Sequence, residues 1–434
     1  MPWGSKSLRK NLSWALNGAI FYVFSQWVLL IILAKLGGPT IVGRYTLGLA
    51  MTAPIVLLSN LQLRTLLASD VQEMFPFSAY AILRLLTSLG ALLLICGLAA
   101  CLEFTLDQAV VICLIGLAKV IESGSDITYG LMQKHERMDL VSLSKGIRGI
   151  LTAGAVGGIF WGTNSLIAGV GGMIAVWLMV FVLFDCRHLQ RILGNPPSHM
   201  AWAKMVHANL ASKILSLSKF SLSLGMVSML MSYNTAMPRY LLEAYHGEAA
   251  LGYFSAIACF TVACTIVPEA FSQAALPRLA KYHANSLDSY WRLMGKLMLV
   301  AFLIGLAGVV VATLGGSELL RIVYKEDFGR FSHILVLIMV LGAAESICSV
   351  LGAGLTAARR LAAQLPVLAG TLIITTVSGW WLIPSHAMDG AVLAAMAGMV
   401  AWGAAYFWIL RIPRDVSSRG QDGSSSVHCE HALK

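Results

Sequence analysis

The run MGKLMLVAFLIGLAGVVVATLGG (294–316) carries one charge, Lys296, near its start. The rest is long enough to cross the hydrocarbon core of a bilayer, which takes about 20 apolar residues in a helix. Reading outward in both directions finds the same pattern repeated. Stretches of this kind lie at 13–36, 43–67, 79–102, 108–131, 143–161, 165–186, 219–242, 251–275, 294–316, 331–356, 363–383 and 389–411. Composition agrees, with 58% apolar and only 12% charged residues among 434, against about 25% charged in a soluble domain. A globule cannot hide that much apolar surface. A bilayer can, provided the backbone polar groups are satisfied within helices. The first stretch exceeds the apolar core of a signal peptide, which runs to about 7–15 residues, and no small-residue cleavage site follows it, so it is expected to be retained.

Lysine and arginine decide the orientation. With the N-terminus placed in the cytoplasm, 24 of them fall on the cytoplasmic side and 6 outside, with Lys119 left inside a span. Both termini are therefore expected in the cytoplasm of a bacterial inner membrane. The net charge of +10 reflects this topology and does not call for nucleic acid. The expected fold is all-α and polytopic, about 12 transmembrane helices in two six-helix bundles. The first bundle takes residues 1–186. A linker, 187–218, contains the Pro196–Pro197 turn and an amphipathic surface helix over 200–217. The second bundle takes 219–412, and a polar tail follows at 413–434. Shifting the chain by about 209 residues lays Gly43, Tyr45 and Thr46 on Gly252, Phe254 and Ser255. The halves then read as parallel repeats about an axis along the membrane normal.

Ionisable groups within spans are costly and mark function or structural pairing. Lys119, Glu122 and Asp126 are spaced by three and four, so they share one helix face with Ser123, Gly130 and Gln133. Two readings stand: a site where Lys119 meets an anion and the carboxylates meet cations, or a structural ion pair between Lys119 and Glu122. Glu269 follows Pro268, which frees backbone carbonyls; the pair suits a cation or a simple hinge. Glu345, beside Gly342 and Ser346, is an ion-coupling candidate on the same terms. Arg64, Arg84 and Arg148 sit in the cytoplasmic thirds of their spans. Arginine suits bidentate phosphate binding, or it anchors a span by reaching lipid phosphates, the reading preferred for Arg84. The cysteines show no ligand spacing and read as small buried hydrophobes. His428, Cys429 and His431 read as part of a polar tail. No metal site, cofactor motif, phosphate-binding loop or catalytic constellation is present, and the outer loops are too short for a catalytic domain. The chain is expected not to be an enzyme.

Four stretches carry a resemblance. GRYTLGLAMTAPIVLLSNLQLRTLLASD (43–70), QKHERMDLVSLSKGIRG (133–149), YNTAMPRYLLEAYHGEAALGYFSAIA (233–258) and SQAALPRLAKYHA (272–284) resemble bacterial polysaccharide flippases of the Wzx type. The superfamily also holds MATE drug exporters and lipid II flippases. The similarity runs over roughly residues 8–300 and weakens through the last four spans. It implies a V-shaped pair of bundles around a central cavity. It also implies export of a polyprenyl-diphosphate-linked oligosaccharide by alternating access, driven by an ion or by the membrane potential. The family's basic cavity residues map to Arg64, Lys119 and Arg148. Glu122, Asp126, Glu269 and Glu345 stand as ion-coupling candidates on their own footing, as carboxylates inside spans. Implied partners are the lipid-linked oligosaccharide, membrane lipids and a polysaccharide polymerase or chain-length partner. The rivals are a multidrug or cation antiporter of the same fold, which favours acidic cavity residues, and a membrane glycosyltransferase or polymerase, which needs a larger acidic loop than any here.

Overall fold

A computed structural model describes residues 8–70, 72–193, 210–358, 360 and 363–412. Its helices in chain order are α1 (Leu8–Asn60), α2 (Leu63–Ser69), α3 (Phe77–Cys101), α4 (Leu106–Lys134), α5 (Met138–Thr163) and α6 (Leu166–Val180). After a π-helical turn (Phe181–Asp185) come α7 (Cys186–Leu193), α8 (Leu210–Ala258), α9 (Thr261–Asn285), α10 (Leu287–Val323), α11 (Ser332–Ala357) and α12 (Gln364–Arg411).

Three of these helices are long enough for two crossings. α1, α8 and α12 run 53, 49 and 48 residues, and at 1.5 Å per residue each far exceeds a ~30 Å hydrocarbon core. Each breaks once. Gly38 adopts φ 75°, ψ −175° in α1 and Gly247 φ 78°, ψ 178° in α8, a region open essentially to glycine alone. α12 breaks at Ala387, with φ 45°. The limbs fold back on each other. Tyr22 from the first limb of α1 bonds Glu122 of α4, and Asn60 from the second limb bonds the adjacent Ser123. In α12 a Cβ on Gly398 would collide with the Thr375 hydroxyl of the other limb. With α2 continuing the second limb of α1, α7 continuing α6 and α9 continuing the short second limb of α8, the described residues of α1 to α7 give six crossings and those of α8 to α12 another six.

The end where the turns at Gly38 and Gly247 lie, here the hinge end, joins the bundles tightly. Gly43 lies against the Glu248 carbonyl and Gly252 against the Pro39 carbonyl, with no room for a Cβ at either place. One shift of 209 residues relates both contacts and both hinge glycines. Arg44 clamps Glu248 through two bonds of 2.9 and 3.1 Å and reaches Asp107 at 3.3 Å. Beneath this clamp Trp27 donates to the Tyr324 hydroxyl at 3.0 Å, and Tyr324 donates to the Ala256 carbonyl at 2.7 Å. Nearer the opposite end, one seam between the bundles is also closed. Gln62 of the α1–α2 break donates to Ser228 of α8 at 2.8 Å, and Gly225 packs on the Leu58 carbonyl.

That opposite end, where α4 passes into α5 and α7 stands, is the linker end. Of the linker expected at 187–218, residues 187–193 belong to α7 and 210–218 open α8. Residues 194–209, with the Pro-Pro turn and part of the expected surface helix, lie outside the described residues, as does the tail 413–434.

Candidate functional site

A cavity of about 750 Å³ lies in the first bundle toward the linker end. Its charged lining comes from three helices. α4 presents Lys119, Glu122 and Asp126 on one face, α5 presents Lys145 and Arg148, and α2 presents Arg64. The position of Arg64 depends on a backbone break. Leu61 and Gln62 both take left-handed φ, near 50° and 51°, an uncommon and costly pairing for residues with side chains. The break ends α1 at Asn60 and starts α2 on a new axis, so Arg64 turns toward α4. Gly130 of α4 lets the Arg64 backbone approach closely.

The carboxylates are all engaged. Glu122 accepts from Lys119 Nζ at 2.7 Å and from the Tyr22 hydroxyl at 2.8 Å. Asp126 accepts from Arg84 Nη2 at 2.7 Å and from Arg64 Nη1 at 3.3 Å. Behind the wall Asp185, at the end of the π-helical turn, accepts from Arg148 at 3.3 Å and from Ser144 at 2.6 Å. Arg148 also donates to Ser125. The Tyr129 ring is ringed by cations: Arg64 at 5.7 Å, Lys145 at 5.9 Å and Arg148 at 5.9 Å from its centroid. Lys145 lies 5.5 Å from the Tyr22 ring as well and forms no ion pair among the described residues. Arg64, Arg84, Lys119, Lys145 and Arg148 are thus set against Glu122, Asp126 and Asp185, a surplus of positive charge in a partly desolvated site. Such a site favours a multiply charged anion.

The Lys119–Glu122 ion pair exists, and the stripe that carries it faces the cavity. The structure gathers Arg64, Lys119, Arg148, Glu122 and Asp126 into one place and leaves Glu269 and Glu345 elsewhere. Glu269 lines a separate hollow of about 390 Å³ beside Ser272. Glu345 lies in a pocket of about 120 Å³ within the second bundle, together with Arg239 and Trp402. Arg239 of α8 lies inside the second bundle as a lining residue of that pocket. Arg84 does not reach for lipid phosphates. It is 2% exposed and locks Asn60 and Asp126 together. Tyr22, Asn60, Lys145 and Asp185 escaped the sequence reading. Lys145 was legible in principle, since it precedes Arg148 by three and shares its face. Tyr22 and Asn60 carry no such signal, because their place depends on how α1 folds back. Among the described residues no group of three or more histidine, cysteine or acidic side chains stands together as a metal site.

Comparison with known proteins is consistent with this geometry. The family model described as polysaccharide biosynthesis protein matches residues 8–283. The capsular polysaccharide biosynthesis protein CapF of Staphylococcus aureus is 25% identical over 408 residues, covering 93% of this chain and 99% of CapF. Among solved structures, an inward-facing multidrug resistance MATE family transporter of the MOP superfamily superposes with TM-score 0.69 at 12% identity, over 91% of this chain and 97% of that one. The lipid II flippase MurJ in an inward closed conformation superposes with TM-score 0.67 at 11% identity, over 91% and 87%. These likenesses show the V-shaped, all-helical fold that those two structures share.

Proposed function

The chain belongs to the polysaccharide biosynthesis protein family, and from that premise we propose that it is a flippase for a polyprenyl-diphosphate-linked oligosaccharide. The carrying observation is the cation surplus in the first-bundle cavity, with Lys145 beside Arg64 and in no ion pair among the described residues. A diphosphate meets Arg64, Lys119, Lys145 and Arg148 there, while the glycan lies along the hydroxyl and amide groups of Tyr22, Asn60 and Gln133. The lipid tail stays in the bilayer, on the side away from the seam closed by Gln62 and Ser228. The linker end faces the cytoplasm, as the lysine and arginine distribution requires, and the hinge end faces the periplasm. The clamp of Arg44 on Glu248 keeps the periplasmic side shut while cargo loads. Alternating access then opens the hinge end and closes the linker end.

The membrane potential supplies part of the drive. Moving two negative charges out of a negative cytoplasm gains up to about 4–5 kcal/mol at 100 mV, less whatever protein charge moves along. A coupling cation acting at Glu122, Asp126, Glu269 or Glu345 resets the carrier. If collapsing both proton and sodium gradients left transport in proteoliposomes unchanged, the coupling role of these carboxylates would be wrong. The multidrug alternative fits less well, because a cavity with surplus cations repels the cationic compounds that such exporters carry.

The direct test is Arg64→Ala. Surface polysaccharide should disappear while the protein still reaches the membrane, and Arg64→Lys should keep part of it. Normal polysaccharide in the Ala variant would remove the diphosphate role.

A further inference from the structure

Behind the wall of the charged cavity is a second space of different character. It measures about 400 Å³ and lies between α3 on one side and the π-helical turn with α7 on the other, with α4 as its floor. Its walls are apolar: Ala81, Leu85, Gly124, Ile127, Phe181 and Leu189. The π-helical turn shapes it, directing Phe181 to the slot and Asp185 to Arg148, and such turns recur at functional positions.

Polar side chains interrupt the apolar lining at Ser78, Arg84, Ser88, Thr128 and Gln190, and two of them hold buried atoms without partners. Arg84 and Ser88, one helical turn apart on α3, are 2% and 3% exposed, and Arg84 Nε and Ser88 Oγ have no hydrogen-bond partner. The Arg84 guanidinium thus divides its donors. Its Nη atoms serve Asp126 and Asn60 at the cavity, while its Nε stays buried without a partner in a side chain that lines the slot. A buried donor without an acceptor is costly, so the slot calls for an apolar ligand that carries an oxygen acceptor. Arg84 lies seven residues into α3, about 10 Å from the linker end at 1.5 Å per residue. At the rim, α7 turns Leu189 and Leu193 inward to the slot and leaves Arg187 and Arg191 exposed. Paired arginines at this level attract anionic headgroups.

We propose that this slot holds one acyl chain of an anionic phospholipid, with an ester oxygen accepting from Arg84 Nε and the phosphate lying against Arg187 and Arg191. The bound lipid completes the hydrogen bonding of Arg84 and so holds Asp126 in the cavity wall from behind. The site is separate from the cargo path and stands on the slot geometry whether or not the cargo is a glycolipid.

The full chain reconstituted in mixed phosphatidylglycerol and phosphatidylcholine vesicles tests this directly. A phosphatidylglycerol bearing a photoactivatable diazirine near the ester is cross-linked, and the labelled peptides are mapped by mass spectrometry. Label is expected to concentrate in 77–88, 120–128 and 181–193, and to exceed that from the matching phosphatidylcholine probe. Ala81→Trp fills the slot, and Gly124→Val crowds the Phe181 ring 3.2 Å from the added Cβ; each should remove the concentrated label. Arg187→Ser with Arg191→Ser, exposed changes that leave the packing intact, should cut the preference for phosphatidylglycerol about thirty-fold, the worth of two surface arginines. Label spread as heavily over α10 as over α3, equal labelling by the two probes in the unaltered protein, or undiminished label in both filled variants would overturn the proposal.

Discussion

The two bundles agree at the hinge end and part company everywhere else. One shift of 209 residues relates Gly38 to Gly247, Pro39 to Glu248 and Gly43 to Gly252, and these residues meet each other across the joint. The same shift pairs Arg64 with Gln273, and both line the central cavity. There the resemblance ends. In the first bundle α4 and α5 carry Lys119, Glu122, Asp126, Lys145 and Arg148 into one connected network. In the second, Glu345 sits in its own small pocket beside an Arg239 whose Nε is buried without a partner. The joint needs symmetry, because two backbones approach there and only glycine on both sides permits it. The cavity needs asymmetry, since one charged wall facing a nearly neutral one concentrates the field on one part of the cargo.

The largest effect expected from breaking this contrast is at Asp185. Asp185→Ala strands Arg148 in a site where both partners are nearly inaccessible, 2% and 0% exposed. Removing one partner of a buried pair costs about 3–5 kcal/mol. Thermal unfolding in detergent should register this, and the double change Arg148→Met with Asp185→Leu should recover most of it. A comparable loss from Glu345→Gln would show that the second bundle depends equally on buried charge and would erase the distinction.

Next comes Lys145, which forms no ion pair among the described residues and so should matter for the cargo and little for the fold. Lys145→Met should weaken binding of a lipid-linked diphosphate by about 1.5–3 kcal/mol, the worth of a hydrogen bond to a charged group, with unfolding temperature unchanged. Gln273→Met, its neighbour from the other bundle, should have a far smaller effect in the same binding assay.

Gly43→Ala and Gly252→Ala probe the shared feature. Each sets a methyl group against a backbone carbonyl of the other bundle and should cost about 1–3 kcal/mol of stability. The two losses should match, as the shared geometry requires; a twofold disparity in calorimetry would mean that the joint is less symmetric than its coordinates. The smallest effect belongs to the surface pair of Arg321 and Glu318, which are 51% and 70% exposed. Glu318→Ala should move stability by less than about 1 kcal/mol.

Much of this was readable in the chain alone. The twelve apolar runs announce twelve crossings because a bilayer imposes one length on every span. The three-and-four spacing of Lys119, Glu122 and Asp126 announces a polar face because the helix repeat is fixed. Gly43 and Gly252 were found by internal alignment, since the repeat keeps close register at the joint. Other features had no local signal. Arg84 looked like an interfacial anchor, and only the approach of Asn60 and Asp126 makes it a lock. Tyr22 entered the site through the fold-back of α1.

The sequence by itself determined the number of spans, the internal shift of 209 and which helix faces are polar. These follow from hydrophobic length, helix periodicity and net charge, all local properties of the chain. Only the tertiary structure decided that Arg64, Lys145 and Arg148 surround one tyrosine ring, that Glu269 and Glu345 lie apart from them, and that the Arg84 guanidinium serves two spaces at once. Those outcomes depend on helices distant in sequence being brought within a few ångströms, and neither spacing nor composition encodes that distance.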